Sequence, residues 1–348
     1  MLNTEAFRRV AVAPPHPSIE IALAPETNRS AFIASLARIL YFEALPLPPA
    51  SEWYGIGNVL RDLLGLPPGF PLNVNLHHGP CLTEKTIDFY DADDRPVLVC
   101  RRSFLPIAGR RPGKIALNCG TMQVHYRRRA GVVPRPDRRG TLAFPRHSTH
   151  HVRSVFETDA YAEQLLRLPS KFQPVVVCLY WKDILHNQAK PFLDRGLPVV
   201  TAGHMADPTF VERLYALMSR FRYVTGNDVG SHATFALEMG IPYFHLGDLP
   251  FVRDETGGDP LWAGKGRQHP DRLISIEDMG PVVGRYRELV PGPDAVEPIN
   301  PVLASFVQNL HGCDEPIDFD ALRECVVHAA VGIAGRGNDL HRDARDHA

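Results

Sequence analysis

The chain lacks any excess of charge. Its 38 Lys and Arg balance 39 Asp and Glu over 348 residues, so nothing global points to nucleic acid or an acidic surface as a partner. It also lacks paired cysteines. Cys81, Cys100, Cys119, Cys178, Cys313 and Cys325 are scattered without Cys-x-x-Cys spacing, several inside apolar runs, which argues for buried, reduced thiols and against a zinc site or disulfide frame. No apolar run reaches the length of a membrane span, and no basic-then-apolar leader opens the chain. A soluble, cytoplasmic protein is expected, with peripheral membrane contact left open. No Gly-x-Gly-x-x-Gly follows a strand, and neither a phosphate-binding GxxxxGK[ST] loop nor a Gly-x-Ser-x-Gly elbow is present, so dinucleotide redox, P-loop and α/β-hydrolase chemistry lose weight.

What the chain has is an alternation of apolar strands and amphipathic helices, clearest from Leu197 to Asp248. Leu197 to Ala202 is a short run rich in β-branched residues that suits a strand buried on both faces, and Gly203-His204 ends it. Asp207-Pro208-Thr209 opens a helix whose Phe210, Leu214, Leu217, Met218 and Phe221 repeat at helical spacing. Arg222 to Thr225 predicts a second strand, Ser231 caps a second helix that Gly240 closes, and Ile241 to Leu246 predicts a third strand. Such an order gives a parallel sheet with right-handed crossovers, whose ligands sit beyond the carboxyl ends of the strands. His204, the Gly226-to-Ser231 loop and Gly247-Asp248 all fall there.

Upstream, helices are expected over 31–40 and 56–64 and strands over 71–76, 95–100 and 114–118, the first running into His77-His78-Gly79-Pro80. Arginines are dense at 110–111, 127–129 and 135–139. They read either as a solvated face or as the basic rim of a cleft that takes an acidic ligand. The Pro/Arg-rich stretch 132–140 reads as an interdomain connection, dividing the chain into 1–139 and 140–348. Asp91-Ala92-Asp93-Asp94 is read as a surface turn, not a metal site.

Beyond the boundary, Phe144-Pro145 passes abruptly into Arg146, His147, Ser148, Thr149, His150 and His151, with no carboxylate or cysteine at zinc spacing. A loop lining an interdomain cleft is expected. A strand over 174–180 ends in Trp181-Lys182-Asp183, which places an aromatic, a base and an acid at the same edge. A glycine-rich loop is expected over 253–270, helices over 301–310 and 319–331 that close the second domain, and a frayed charged tail after them.

The strongest local signal for chemistry is Gly230-Ser231. A glycine-serine pair opening a helix presents unpaired N–H groups and a hydroxyl to a phosphate or carboxylate, although an ordinary helix cap looks the same. His232 on the first turn and His204 on the neighbouring strand end add further donors.

The segment VTGNDVGSHATFALEMGIPYF (224–244) resembles the donor-binding strand, loop and helix of glycosyltransferases with two facing Rossmann-like domains, the GT-B architecture. There a Gly/Ser-rich helix start meets the nucleotide phosphates and a Gly-x-Pro follows the helix, here Gly240-Ile241-Pro242. Together with FPRHSTHH (144–151), VCLYWKD (177–183) and VTAGHMADP (200–208), it makes residues 140–250 similar to surface-polysaccharide biosynthesis proteins of bacteria. A more distant likeness is to transferases that use CMP-linked acidic sugars. LHHGP (76–80) and CGTMQVHY (119–126) suit an acceptor-side domain.

The resemblance implies an α/β fold of two Rossmann-like domains facing across a cleft, with parallel sheets flanked by helices. It implies metal-independent transfer of a sugar from a nucleotide-sugar donor to a glycan or lipid-linked acceptor, with no cofactor. His204, Gly230, Ser231 and His232 would hold the donor, while Arg146, Ser148, Trp181 and Lys182 line the cleft and His78, His147 or Asp183 serves as general base. One position departs from the pattern: Phe235 stands where many such enzymes place a ribose-binding glutamate, and Glu238, the only glutamate of the helix, lies on another face. A nucleotide-sugar epimerase and a non-catalytic nucleotide- or sugar-binding protein are the alternatives.

Overall fold

The computed structural model describes residues 25–80, 93–149, 152–228, 230–254, 273–274 and 281–343. Asp91, Ala92, His150, His151 and residues 255–270 of the anticipated glycine-rich loop lie outside the described residues.

In chain order the first half contributes α1 (Pro25–Glu43), a short 3-10 helix (Ala50–Gly55), α2 (Ile56–Leu63), β1 (Asn75–Leu76), β2 (Val97–Val99), α3 (Leu105–Ala108), β3 (Ala116–Asn118) and α4 (Met122–Arg129). Then follow β4 (Thr141–Phe144), β5 (Val152–Val155), α5 (Thr158–Leu166), β6 (Val175–Cys178), α6 (Trp181–Leu185), α7 (Lys190–Asp194), β7 (Val199–Val200) and α8 (Phe210–Met218). The remainder is β8 (Tyr223–Gly226), α9 (Ser231–Glu238), β9 (Tyr243–His245), β10 (Phe251–Asp254), β11 (Leu273–Ile274), α10 (Pro281–Leu289), α11 (Pro301–His311) and α12 (Phe319–Asp343).

The fold is α/β with parallel sheets. β1, β2 and β3 pair in parallel in that order, with Leu98 opposite Leu76 and Leu117. The larger sheet has the order β7-β6-β4-β8-β9, all parallel. Its chain starts in the middle at β4, moves outward through β6 and β7, then returns to build β8 and β9 on the other side. The order therefore reverses between β4 and β8, and a crevice opens at their carboxyl ends.

Both faces of this sheet are covered, which is why its strands read as unbroken apolar runs. Leu142, Val176 and Val224 pack with α8, α9 and α11, whereas Ala143, Val175, Val177 and Tyr223 point the opposite way toward α5. A third, antiparallel sheet joins β5, β10 and β11, with Val152 opposite Asp254. Sequence patterning does not anticipate it. Val152-Arg153-Ser154-Val155 buries only Ser154, so no apolar alternation marks it as a strand.

The two end helices are exchanged between the sheets. Ile39 of α1 is buried with Val175, Val177 and Phe244 of the larger sheet. The expected closing helix of the second domain, α12, instead buries Leu322 and Val326 among Leu60, Val74 and Leu98 of the first sheet, where Asn73 Nδ2 also donates to the Ala329 carbonyl at 2.9 Å.

Candidate functional site

A cavity of about 290 Å³ opens beyond the carboxyl ends of the larger sheet. Phe144, Pro145, His147 and Thr149 reach it from the end of β4, Cys178, Leu179 and Tyr180 from β6, and Ala202 from beyond β7. Phe210 and Leu214 of α8 and Ser231, His232 and Phe235 of α9 form further walls, and the first half closes it with Tyr54, His78 and Gln123. No Asp, Glu, Lys or Arg is among these lining residues. The space is an apolar and aromatic chamber with a few polar groups aimed inward, which is the usual make-up of a small-molecule site.

The amino end of α9 is one wall. Gly230 is its N-cap, with no side chain capping the helix, so Ser231 is the exposed first helical residue and not the anticipated cap. The His232 ring stacks on Phe144 with centroids 4.9 Å apart and is wedged between two glycines. A Cβ on Gly226 would lie 2.9 Å from its Nε2, and one on Gly230 would lie 2.5 Å from its Nδ1. Burial, helped by nearby His147 and Arg146, pushes the His232 imidazole down to about 3. It is therefore a neutral ring at physiological pH.

Four anticipated site residues work behind the wall and hold the loop after β4. The Arg146 amide donates to Asn227 Oδ1 at 2.8 Å and its guanidinium pairs with Asp228. Buried Asp183 accepts the Ser148 amide at 3.1 and 3.2 Å, Ser148 Oγ accepts from the Ser154 amide at 3.1 Å, and Lys182 Nζ donates to the Thr149 carbonyl at 2.6 Å. Burial raises the Asp183 carboxyl, with His147 and the Ser148 bonds opposing. This scaffold carries His147 to the cavity, where its ring lies 4.6 Å from that of Tyr180.

His204 and Trp181 stand apart from the cavity lining. His204 is buried, with its ring 4.1 Å from that of Trp181. Its Nδ1 accepts the Ala206 amide at 3.0 Å, so Nε2 carries the proton and donates to Glu43 Oε2 at 3.1 Å. The structure thus brings His78, His147, Ser231 and His232 together, with Gly230 directly behind. It leaves His204, Trp181, Arg146, Ser148, Lys182 and Asp183 outside the lining.

The arginine-dense stretches are largely neutralised by carboxylates. Arg127 and Arg128 pair with Glu238 of α9, Arg128 also with Asp314, Arg129 with Asp62, Arg111 with Asp94 and Arg135 with Asp137. Glu238 on the far face of α9 thereby ties α4 to α9.

Tyr54 and Gln123 are among the lining residues with no anticipated role. Tyr54 has φ +58° and ψ 13°, a conformation uncommon outside glycine, and its amide donates to the Met205 carbonyl at 2.6 Å. Its hydroxyl meets that of Tyr180 at 2.9 Å, which joins the two halves at the cavity. The aromatic-glycine turn Trp53-Tyr54-Gly55 is the one sequence signal for it. Gln123 lies in CGTMQVHY, and its Nε2 donates to the His78 carbonyl at 2.6 Å.

With this geometry established, comparison with known proteins adds a distant set of neighbours. No protein-family model and no curated protein matches the chain. Among solved structures, a histidine-to-alanine variant of the wall teichoic acid polymerase TagF is similar over 75% of this chain and 69% of that one, at 10% identity and a TM-score of 0.39. TagF itself aligns over 76% of this chain and 61% of its own, at 12% identity and a TM-score of 0.32. A histidine-to-asparagine variant aligns over 72% and 62%, at 10% identity and a TM-score of 0.31. Among the described residues, no helix is long and apolar enough to cross a membrane.

Proposed function

We propose that the protein is a glycosyltransferase of the GT-B type, with two Rossmann-like domains, 1–139 and 140–348 apart from the exchanged end helices α1 and α12, facing across a cleft. It moves a sugar from a nucleotide-sugar donor to a glycan or lipid-linked acceptor in surface-polysaccharide biosynthesis, in the cytoplasm and without a metal. The observation that carries this reading is the seat of the cavity. It lies beyond the carboxyl ends of β4, β6 and β7, against the amino end of α9, and the first half closes it through His78, Tyr54 and Gln123.

In this reading the donor phosphates rest on the first turn of α9, where backbone N–H groups and the Ser231 hydroxyl face them. The acceptor oxygen attacks the anomeric carbon and the bond from that carbon to the phosphate oxygen breaks. The helix dipole meets the charge that develops on the departing nucleotide. Neutral His232 contributes a hydrogen bond and no charge. The acceptor proton passes to an imidazole in the cavity, His147 or His78. Asp183 fixes the His147 loop through the Ser148 amide.

The experiment is release of free nucleotide from a panel of UDP-, GDP-, CMP- and dTDP-sugars, with and without a glycan acceptor. Acceptor-dependent release, cut by roughly 10²- to 10⁴-fold in His147→Gln or in His78→Gln, supports the transferase. A donor isomerised without acceptor points to an epimerase instead. A non-catalytic nucleotide- or sugar-binding protein is the second reading. Phe235 favours it by placing an apolar ring on the cavity wall, and nucleotide binding without any turnover is its signature.

A further inference from the structure

We infer that the outer face of the antiparallel sheet, carried by Arg153 and Val155 of β5 and Phe251 and Arg253 of β10, is a contact for an anionic lipid bilayer. The biological setting, a lipid-linked acceptor, rests on the glycosyltransferase reading, but the chemistry rests on this face alone.

In the register of these two strands Arg153 lies directly opposite Arg253, and Val155 directly opposite Phe251. Side chains alternate along a strand and opposed residues share a face, so the four lie together on one side. That side is turned to solvent. Phe251 is 55% exposed, Val155 is 37% exposed, and both arginines are exposed. Ser154, between Arg153 and Val155, is buried on the other side, where its amide donates to Ser148 Oγ. Like charges opposed across a ladder destabilise it, so this pair calls for a negative partner. Neither Arg153 nor Arg253 has a carboxylate partner among the described residues, unlike Arg127, Arg128, Arg129 and Arg135.

The charged pair and the apolar pair together select the occupant. A free anion bridging the arginines would leave Phe251 and Val155 in water. A second copy of this face would bring like charges together. Nucleic acid asks for a broad basic surface, and the formal net charge of the chain is -1. A bilayer carrying anionic phospholipid meets both demands, since its phosphates accept from the guanidinium forks while the phenyl ring and the valine methyls enter the headgroup boundary. The face is also joined to the cavity. β5 follows directly on the loop whose His147 and Thr149 line that cavity, and the Thr149 amide donates to the Val152 carbonyl at 2.8 Å. Docking here holds that wall of the cavity beside the lipid.

The test is co-sedimentation of the full chain with phosphatidylcholine vesicles, pure or carrying about 30% phosphatidylglycerol. The anionic vesicles should bind at least about tenfold more tightly, and the difference should shrink as salt rises. A basic residue at a membrane surface contributes roughly fivefold, so Arg153→Gln/Arg253→Gln should remove that preference, a loss of about 10- to 25-fold. Phe251→Ser should weaken binding to the anionic vesicles about tenfold. Arg129→Gln/Arg135→Gln removes the same charge elsewhere and should change binding by less than about twofold. The lipid preference is read on the unmodified chain, so it survives a variant that fails to fold. Equal binding to the two vesicles, an equal loss in the charge-matched control, or full binding by Arg153→Gln/Arg253→Gln overturns the inference. So does displacement by glycerol 3-phosphate beyond that of sodium chloride at equal ionic strength, which would make the pair a site for free phosphate. A dimer lost in Phe251→Ser, without vesicle binding, would overturn it in favour of a contact between copies. Anionic-vesicle binding without response to any nucleotide sinks the transferase alone, while nucleotide response without vesicle binding sinks this inference alone.

Discussion

Arg38 and Asp207 stand 169 residues apart and form a two-pronged ion pair in the interior, with Nε to Oδ2 at 2.5 Å and Nη2 to Oδ1 at 2.9 Å. They are 4% and 0% exposed, and Arg213 approaches the same carboxylate at 3.6 Å. The pair locks α1 onto the loop beyond β7. Removing one partner strands a buried charge, so Arg38→Met is expected to cost about 3–5 kcal/mol in urea unfolding. A loss below about 1 kcal/mol would show that the site relaxes or hydrates.

Asp207 also sets an acid limit. Burial alone would raise its carboxyl, but the bonds from Arg38 and Thr209 hold it below its ordinary value. A depressed folded-state pKa stabilises above the unfolded value near 4 and the benefit disappears as pH falls through the folded one. Stability in Asp207→Asn should therefore lose the part of the acid transition that lies below about pH 4.

The histidines act in a separate window. Burial pushes His232 down to about 3 and His311 to about 4, whereas both titrate near 6.5 when unfolded. Between those values the unfolded chain binds the extra protons, so stability rises with pH up to about 6.5 and is flat above it. From pH 7 to 5 each histidine should remove about 2 kcal/mol. Unfolding curves across that range check the slope, and His311→Gln should flatten it. By NMR, His232 should show no titration between about pH 5 and 8.

Gly226 is sterically required. A Cβ there would lie 2.6 Å from the Phe144 carbonyl oxygen and 2.9 Å from His232 Nε2, so β4 or the ring must move. Gly226→Ala should cost about 1–3 kcal/mol and weaken any cavity ligand. An unchanged melting temperature would contradict the tight fit at the switch point.

His204 has a structural task that can be measured. Its Nε2–H bond to Glu43 pins the carboxyl end of α1. His204→Ala should cost about 2 kcal/mol or more and speed amide exchange across 25–43 before the rest of the fold.

The larger sheet was legible because strands covered on both faces carry their own signature. Val175 to Cys178 and Tyr223 to Gly226 need no partner to be recognised. Ser231 and His232 were legible for a related reason, since a glycine-serine helix start after a parallel strand has a fixed address. The rest depends on contacts between distant residues. Arg38 looks like a solvated helix residue until Asp207 arrives, and Arg128 looks like part of a basic rim until Asp314, 186 residues away, neutralises it. Gln123 reaches the cavity wall through its bond to the carbonyl of His78, 45 residues earlier. His204 has the correct strand end but turns toward Glu43, a direction that spacing does not encode.

The most direct test of the donor site is a thermal-shift screen with CMP, UDP, GDP, dTDP and ADP, with and without magnesium. One nucleotide at about a hundred times its Kd should stabilise the protein by about 2.7 kcal/mol, independently of magnesium, and the shift should shrink in Ser231→Ala. No stabilisation by any of the five, or a shift untouched by Ser231→Ala, would contradict a nucleotide-sugar donor seated at the amino end of α9.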